Sequence, residues 1–143
     1  ASHFHRELGE IMYRGVGVER SADGLRRAID EIRDLRDRFW RDVRVPGTGA
    51  ELNQALEKAG RIADFIELAE LMAVDALDRQ ESCGAHFRSE HQADGEAKRD
   101  DERWAFASAW ETHSSHASHE PSFTRHAEPL SFTSVPLATR SYR

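Results

Sequence analysis

Thirty consecutive residues, Ala50 to Arg79, run without a proline, and their apolar members recur at helical spacing. Leu52, Leu56, Ala59, Ala63 and Ile66 fall on one stripe, and Ile62, Phe65, Leu68, Met72 and Ala76 on a second. Two stripes make a wide apolar face. The segment is therefore predicted to be the longest helix of the chain, with its second half at the centre of a helical bundle and a bend near Gly60.

Two shorter helices are available to cover that face. Phe4, Leu8, Ile11 and Met12 share one side of the first, which Gly15 and Gly17 end. The "GVG" there follows no strand and lacks a third glycine, so it does not read as a nucleotide loop. Ser21 is a good N-cap for the second helix, along which Leu25, Ile29, Ile32, Leu35 and Phe39 form a single stripe. The opposite face carries Arg27 with Glu31, Asp30 with Asp34 and Asp34 with Arg38 at i,i+4. Two of these pairs attract and one repels, the pattern of a solvated face. A turn is required at "VPGTG", Val45 to Gly49, because Pro46 fixes its own φ and biases Val45 away from the helix.

The composition changes after Arg88. "SEHQADGEAKRDDER" is polar and turn-rich and is expected to lie on the surface. "WAFASAWE" and "SFTRHAEPLSFTSVPL" alternate in part between apolar and polar residues, which suits an antiparallel hairpin or two extended arms, with "THSSHASHEP" as the loop between them. The fold expected is mainly α: a three-helix bundle with a long third helix over residues 1–90, then a polar loop and a small β-hairpin or extended tail over residues 91–143 packed on the same domain.

A chain of 143 residues is the size of one ordinary domain and can bury a core without staples. Its single cysteine makes no internal disulfide, and no basic segment precedes an apolar run, so a reducing, cytoplasmic setting is expected. No apolar stretch nears the ~20 residues that cross a bilayer, so direct membrane insertion is not expected. With a net charge of -6 and its arginines interleaved with acids, the chain has no basic stripe to neutralise phosphates. Nucleic acid is not an expected partner.

Three groups of residues bear on chemistry. The octet "ESCGAHFR" sets Cys83 three residues before His86. A structural zinc site wants four ligands and a catalytic one three, and no second cysteine exists. A Cys–His nucleophile pair with Glu81 as orienting group is the second reading. The third is architectural: Ser82 to Gly84 break the long helix, and Glu81, His86 and Arg88 hydrogen-bond the chain reversal. His113, His116 and His119 are spaced by three, so on a helix the first two could share an ion, whereas on a Ser-rich loop with only Glu111 and Glu120 nearby metal binding is expected to be adventitious. "RDDER", Arg99 to Arg103, reads as a surface ion-pair cluster in preference to a cation site. On the residues alone there is no self-sufficient active site.

The run "AELMAVDALDRQESCGAHFR", together with "GVGVER", "GEAKRDDERWAFASAW" and the final "RSYR", resembles the C-terminal helical domain of the flavoprotein subunit of succinate dehydrogenase and fumarate reductase. The common form of the turn in that family is "ESRGAH". Cys83 in place of its arginine, with the longer "FRSEHQADGEAKRDD" insertion, resembles the fumarate-reductase-like branch and removes any ion pair that arginine would make. The resemblance implies an enzyme fragment. FAD, the dicarboxylate-binding groups and the proton-transfer groups would lie in N-terminal FAD-binding and capping domains, and an iron–sulfur subunit would take the electrons. No cofactor is expected in the fragment, and the isolated chain is expected to fold without binding FAD or oxidising succinate. Glu81, Ser82, Cys83, Gly84, His86, Arg88, Arg99, Asp100 and Asp101 are the expected interdomain or assembly residues. A cytoplasmic place, peripheral on the inner face of the membrane through the complex, follows from the same resemblance. Alternatives are the C-terminal domain of L-aspartate oxidase, whose turn is similar but which typically lacks the long extension after it, and a stand-alone helical interaction module.

Overall fold

The computed structural model describes residues 1–49, 51–113 and 122–138. Three helices form the bundle: α1 (Ser2–Val16), α2 (Ala22–Asp42) and α3 (Gln54–Asp78). Phe4, Leu8 and Ile11 of α1 meet the whole predicted stripe of α2, Leu25 to Phe39, and Ile62, Ile66, Ala69, Ala73 and Ala76 of α3 complete the core. Ser21 caps α2 by accepting from the Gly24 amide at 3.1 Å.

Two expectations for the third helix need correction. It starts at Gln54 instead of Ala50, because the Asn53 side chain accepts from the amides of Ala55 and Leu56 at 3.0 and 3.1 Å and so caps the helix. Asn53 also donates to the Pro46 carbonyl at 3.1 Å, which closes the predicted turn onto the cap. Gly47 lies beneath it at φ +102°, where a Cβ would meet Asn53 Nδ2 at 2.8 Å. Leu52 is thus left outside the helix and fully accessible.

The second correction concerns burial. α1 and α2 cover only one side of α3, so Ile62 and Ala76 are buried while Phe65, Leu68 and Met72 stand exposed. α3 is a wall of the bundle and not its centre.

The bundle leads into a string of short pairings. β1 (Glu19–Arg20) pairs in parallel with β2 (Phe87–Arg88), which brings the end of α1 against the segment that follows α3. β3 (Gln92–Ala93) and β4 (Glu96–Ala97) form a hairpin inside the predicted polar loop. Asp94 and Gly95 between them both have positive φ, which is the geometry that Asp-Gly favours in a two-residue hairpin turn. A single turn of helix, α4 (Asp101–Trp104), follows, with Asp100 as its N-cap.

The predicted terminal hairpin is present as β5 (Phe106–Thr112) and β6 (Phe123–Pro129), antiparallel from Phe106↔Pro129 to Thr112↔Phe123. Phe106, Ser108 and Trp110 alternate with more exposed neighbours along β5. Trp110 Nε1 donates to Asp75 of α3 at 2.9 Å, and Arg125 of β6 pairs with Asp78. The hairpin is thereby fastened to the second half of α3. Its connecting loop, which holds His116 and His119, lies outside the described residues. Among the described residues no helix is long and apolar enough to cross a membrane.

Candidate functional site

A helix the length of α3 ends in four carbonyl groups without partners inside the helix and a partial negative charge. Arg88 answers both. Its side chain is 3% exposed, and Nη1 donates to the carbonyls of Ala76, Leu77 and Arg79 at 3.0, 3.2 and 3.3 Å. The same guanidinium reaches Glu90 through Nε at 3.2 Å. Glu90 in turn accepts from the amide of Ala22, the first residue of α2, at 2.6 Å. One arginine and one glutamate therefore link the negative end of α3 to the positive end of α2.

The octet itself is a tight reversal. The backbones of Cys83 and His86 exchange hydrogen bonds of 2.8 and 3.0 Å, with Gly84 at φ +59° in the loop between them. Ser82 is buried. Its hydroxyl accepts from the Arg88 amide at 2.8 Å and donates to the Arg88 carbonyl at 3.2 Å, while its own amide donates to the Lys98 carbonyl at 2.9 Å. Glu81, also buried, accepts from Arg79 Nη1 at 2.7 Å and from the Asp100 amide at 2.9 Å. Arg79 extends further, donating to the carbonyls of Trp104 and Phe106 at 3.2 and 2.9 Å and lying over both rings.

His86 closes the junction. Nε2 lies 3.0 Å from the Arg79 carbonyl, which only accepts, so Nε2 carries the hydrogen. Nδ1 lies 2.7 Å from Arg20 Nη1, which only donates, so Nδ1 offers its lone pair. Burial holds the imidazole below its ordinary value, and the positive charges of Arg20, Arg88 and Arg79 add to that against the raising effect of the Arg79 carbonyl. Arg20 itself is lowered, first by burial, and its Nε caps α1 by donating to the Val16 and Gly17 carbonyls at 3.0 Å each.

This geometry separates the readings of the octet. Both ring nitrogens of His86 are engaged, by Arg20 and by the Arg79 carbonyl, and the Cys83 side chain is free and exposed. The architectural reading of the octet describes what these side chains do. Arg99 pairs with Asp101 at 2.6 Å and donates to the Ala138 carbonyl at 3.0 Å, while Asp100 serves as a cap. His113 bonds Thr124 and His126 bonds Glu111 across the hairpin. Among the described residues no group of three His, Cys, Asp or Glu is placed to hold a metal. Gly15 and Gly17 lie at the C-terminal end of α1, the wrong end of the dipole for a pyrophosphate, so these residues do not fit a dinucleotide such as FAD.

Two features escaped sequence reasoning. One is Arg20, which reads only as the last residue of "GVGVER". The other is the open apolar side of α3, where Leu68, Leu71 and Met72 border a shallow groove that Ser108 and Trp110 close from the hairpin side.

Comparison with known proteins decides the family. Residues 5–142 match the family described as fumarate reductase flavoprotein C-term. The chain belongs to this family. The flavoprotein subunit of succinate dehydrogenase from Bacillus subtilis is 31% identical over 70% of this chain and 16% of its own length. The flavoprotein subunit of fumarate reductase from Escherichia coli is 35% identical over 66% of this chain and 15% of its own length. In structure, E. coli quinol fumarate reductase FrdA superposes with a TM-score of 0.77 and 26% identity, over 96% of this chain and 22% of that one. The flavoprotein C-terminal domain thus spans less than a quarter of each relative. These relatives do not favour the L-aspartate oxidase alternative.

Proposed function

We propose that this chain is the C-terminal docking domain of the flavoprotein subunit of a succinate dehydrogenase or fumarate reductase, an enzyme that interconverts succinate and fumarate with FAD and passes electrons to an iron–sulfur subunit. The observation that carries the reading is the open side of α3. Phe65, Leu68 and Met72 are each between 44% and 52% exposed on one side of the helix, in a family whose named relatives are several times longer than this chain. A contiguous apolar face of this kind is a surface made to be covered.

The chemistry belongs to the segments that would cover it, the FAD-binding and capping domains. This chain contributes rigidity. The bundle over residues 1–90 offers the face, and residues 91–143 buttress it, because Trp110 and Arg125 tie the hairpin to α3. Glu81, Ser82, His86 and Arg88 fix the junction from inside, whereas Cys83, Gly84, Arg99, Asp100 and Asp101 line its outer edge toward the rest of the subunit or the iron–sulfur subunit. A rigid frame of this sort keeps flavin and substrate aligned without touching either. The assembled complex would sit peripherally on the inner face of the cell membrane.

The test is on the native polypeptide. An antibody raised to this chain should recover a much larger protein whose flavin fluorescence survives acid denaturation. A 16.3 kDa species without flavin would overturn the proposal, and a larger one that loses its flavin in acid would point back to L-aspartate oxidase.

A further inference from the structure

The hydrogen-bond partners of the His86 ring admit a single protonation state. We propose that it is a proton-sensitive latch between the α1–β1 corner and the 81–88 turn, closed while the imidazole is neutral and opened when Nδ1 takes a proton.

A proton on Nδ1 would face the N–H of Arg20 Nη1 across a separation of 2.7 Å, turning an acceptor–donor pair into two opposed donors. It would also set a fourth positive charge among Arg20 of β1, Arg79 at the end of α3 and Arg88 of β2. The carboxylates around the junction do not offset it. Glu81 is engaged by Arg79 and the Asp100 amide, Glu90 by Arg88 and the Ala22 amide, and Asp75 faces Arg20 while accepting from Trp110.

The ring therefore takes a proton only when Arg20 withdraws. Arg20 is not free to withdraw alone, because its Nε holds the Val16 and Gly17 carbonyls and its backbone pairs β1 with β2. Proton uptake at one nitrogen is thus transmitted to the end of α1 and to the turn together. The sign follows from linkage. A folded-state value below the unfolded one gives stability that is complete above the unfolded value of about 6.5 and is lost as pH falls toward the folded value. This device does not depend on the function proposed above.

The experiment uses chain labelled with ¹⁵N-histidine. Long-range ¹H–¹⁵N correlations should show the Nε2–H tautomer for His86 near neutral pH and a titration below the ordinary histidine range. Urea unfolding of the wild type and of His86→Gln would then be compared as the pH is lowered from about 7.5 to about 5. Glutamine retains a carbonyl to accept from Arg20 and an amide to donate to Arg79 but takes no proton. Relative to the variant, the wild-type ratio of folded to unfolded chain should fall by up to about tenfold per pH unit, the slope of one proton. An Nδ1–H tautomer, a titration in or above the ordinary range, or the same pH dependence in both proteins would overturn the proposal. Should the variant fail to fold, the tautomer and titration of the wild type decide alone.

Discussion

Glu70 of α3 and Arg36 of α2 form an ion pair inside the bundle, with side chains 5% and 10% exposed. Arg33, one turn earlier on α2, donates to the other carboxylate oxygen at 2.7 Å. The buried carboxylate is thereby satisfied from two sides, by the buried Arg36 and by the half-exposed Arg33. Removing it strands a buried guanidinium, and breaking such a pair costs about 3–5 kcal/mol. Glu70→Ala is expected to lower stability to urea by that amount. The double change Arg36→Met with Glu70→Leu, which removes both charges, should recover most of the loss.

Arg88 is expected to be the most sensitive single position of the junction. It serves three carbonyls, and charge-assisted bonds contribute about 1.5–3 kcal/mol each when measured singly. Arg88→Met should therefore cost about 2–4 kcal/mol and speed amide exchange in the last turn of α3. Arg88→Lys should restore only part, since an ammonium does not reproduce the fork that serves Glu90 as well. A neutral result in urea unfolding for either variant would show that water satisfies the helix end equally well.

The crossing of α1 and α2 depends on Gly15. A Cβ there would lie 2.7 Å from Ala28 Cβ and 3.2 Å from the Gly24 carbonyl. Gly15→Ala is predicted to destabilise by about 1–3 kcal/mol through overpacking, despite the better helix propensity of alanine. Ala28→Gly in the same chain should relieve the clash, so a double-mutant cycle in urea should show coupling between the two sites.

Much of the bundle was legible in the sequence because apolar stripes and caps are local signals. Phe4, Leu8 and Ile11, the stripe from Leu25 to Phe39, and the cap at Ser21 all lie where the periodicity puts them. The start of α3 was misread because the apolar pattern reaches back to Leu52, while the side chain able to cap the helix is Asn53. The second stripe was misread for a different reason. Periodicity says which residues share a side, but not whether a partner covers that side within the same chain. The charged residues were the least legible. Arg36 and Glu70 look like members of solvated faces, and Arg38, expected to pair with Asp34, does so while also holding Glu7 of α1. Glu31, expected beside Arg27, instead pairs with Arg14 across the helices. At the octet, the residue types announced a reversal, but Arg20 is 66 positions away from His86, and no local pattern connects them.

The central claim is that the open side of α3 is covered by the rest of a flavoprotein subunit. Leu68→Ser and Met72→Ser should change the stability of the chain alone by less than about 0.5 kcal/mol, as surface substitutions do, while reducing assembly of the longer polypeptide. The most direct measurement is thiol labelling at that face. With Cys83 replaced by serine, Met72→Cys should react rapidly with a maleimide in the isolated chain and be strongly protected in the flavin-containing polypeptide. Equal reactivity in the two would contradict the account.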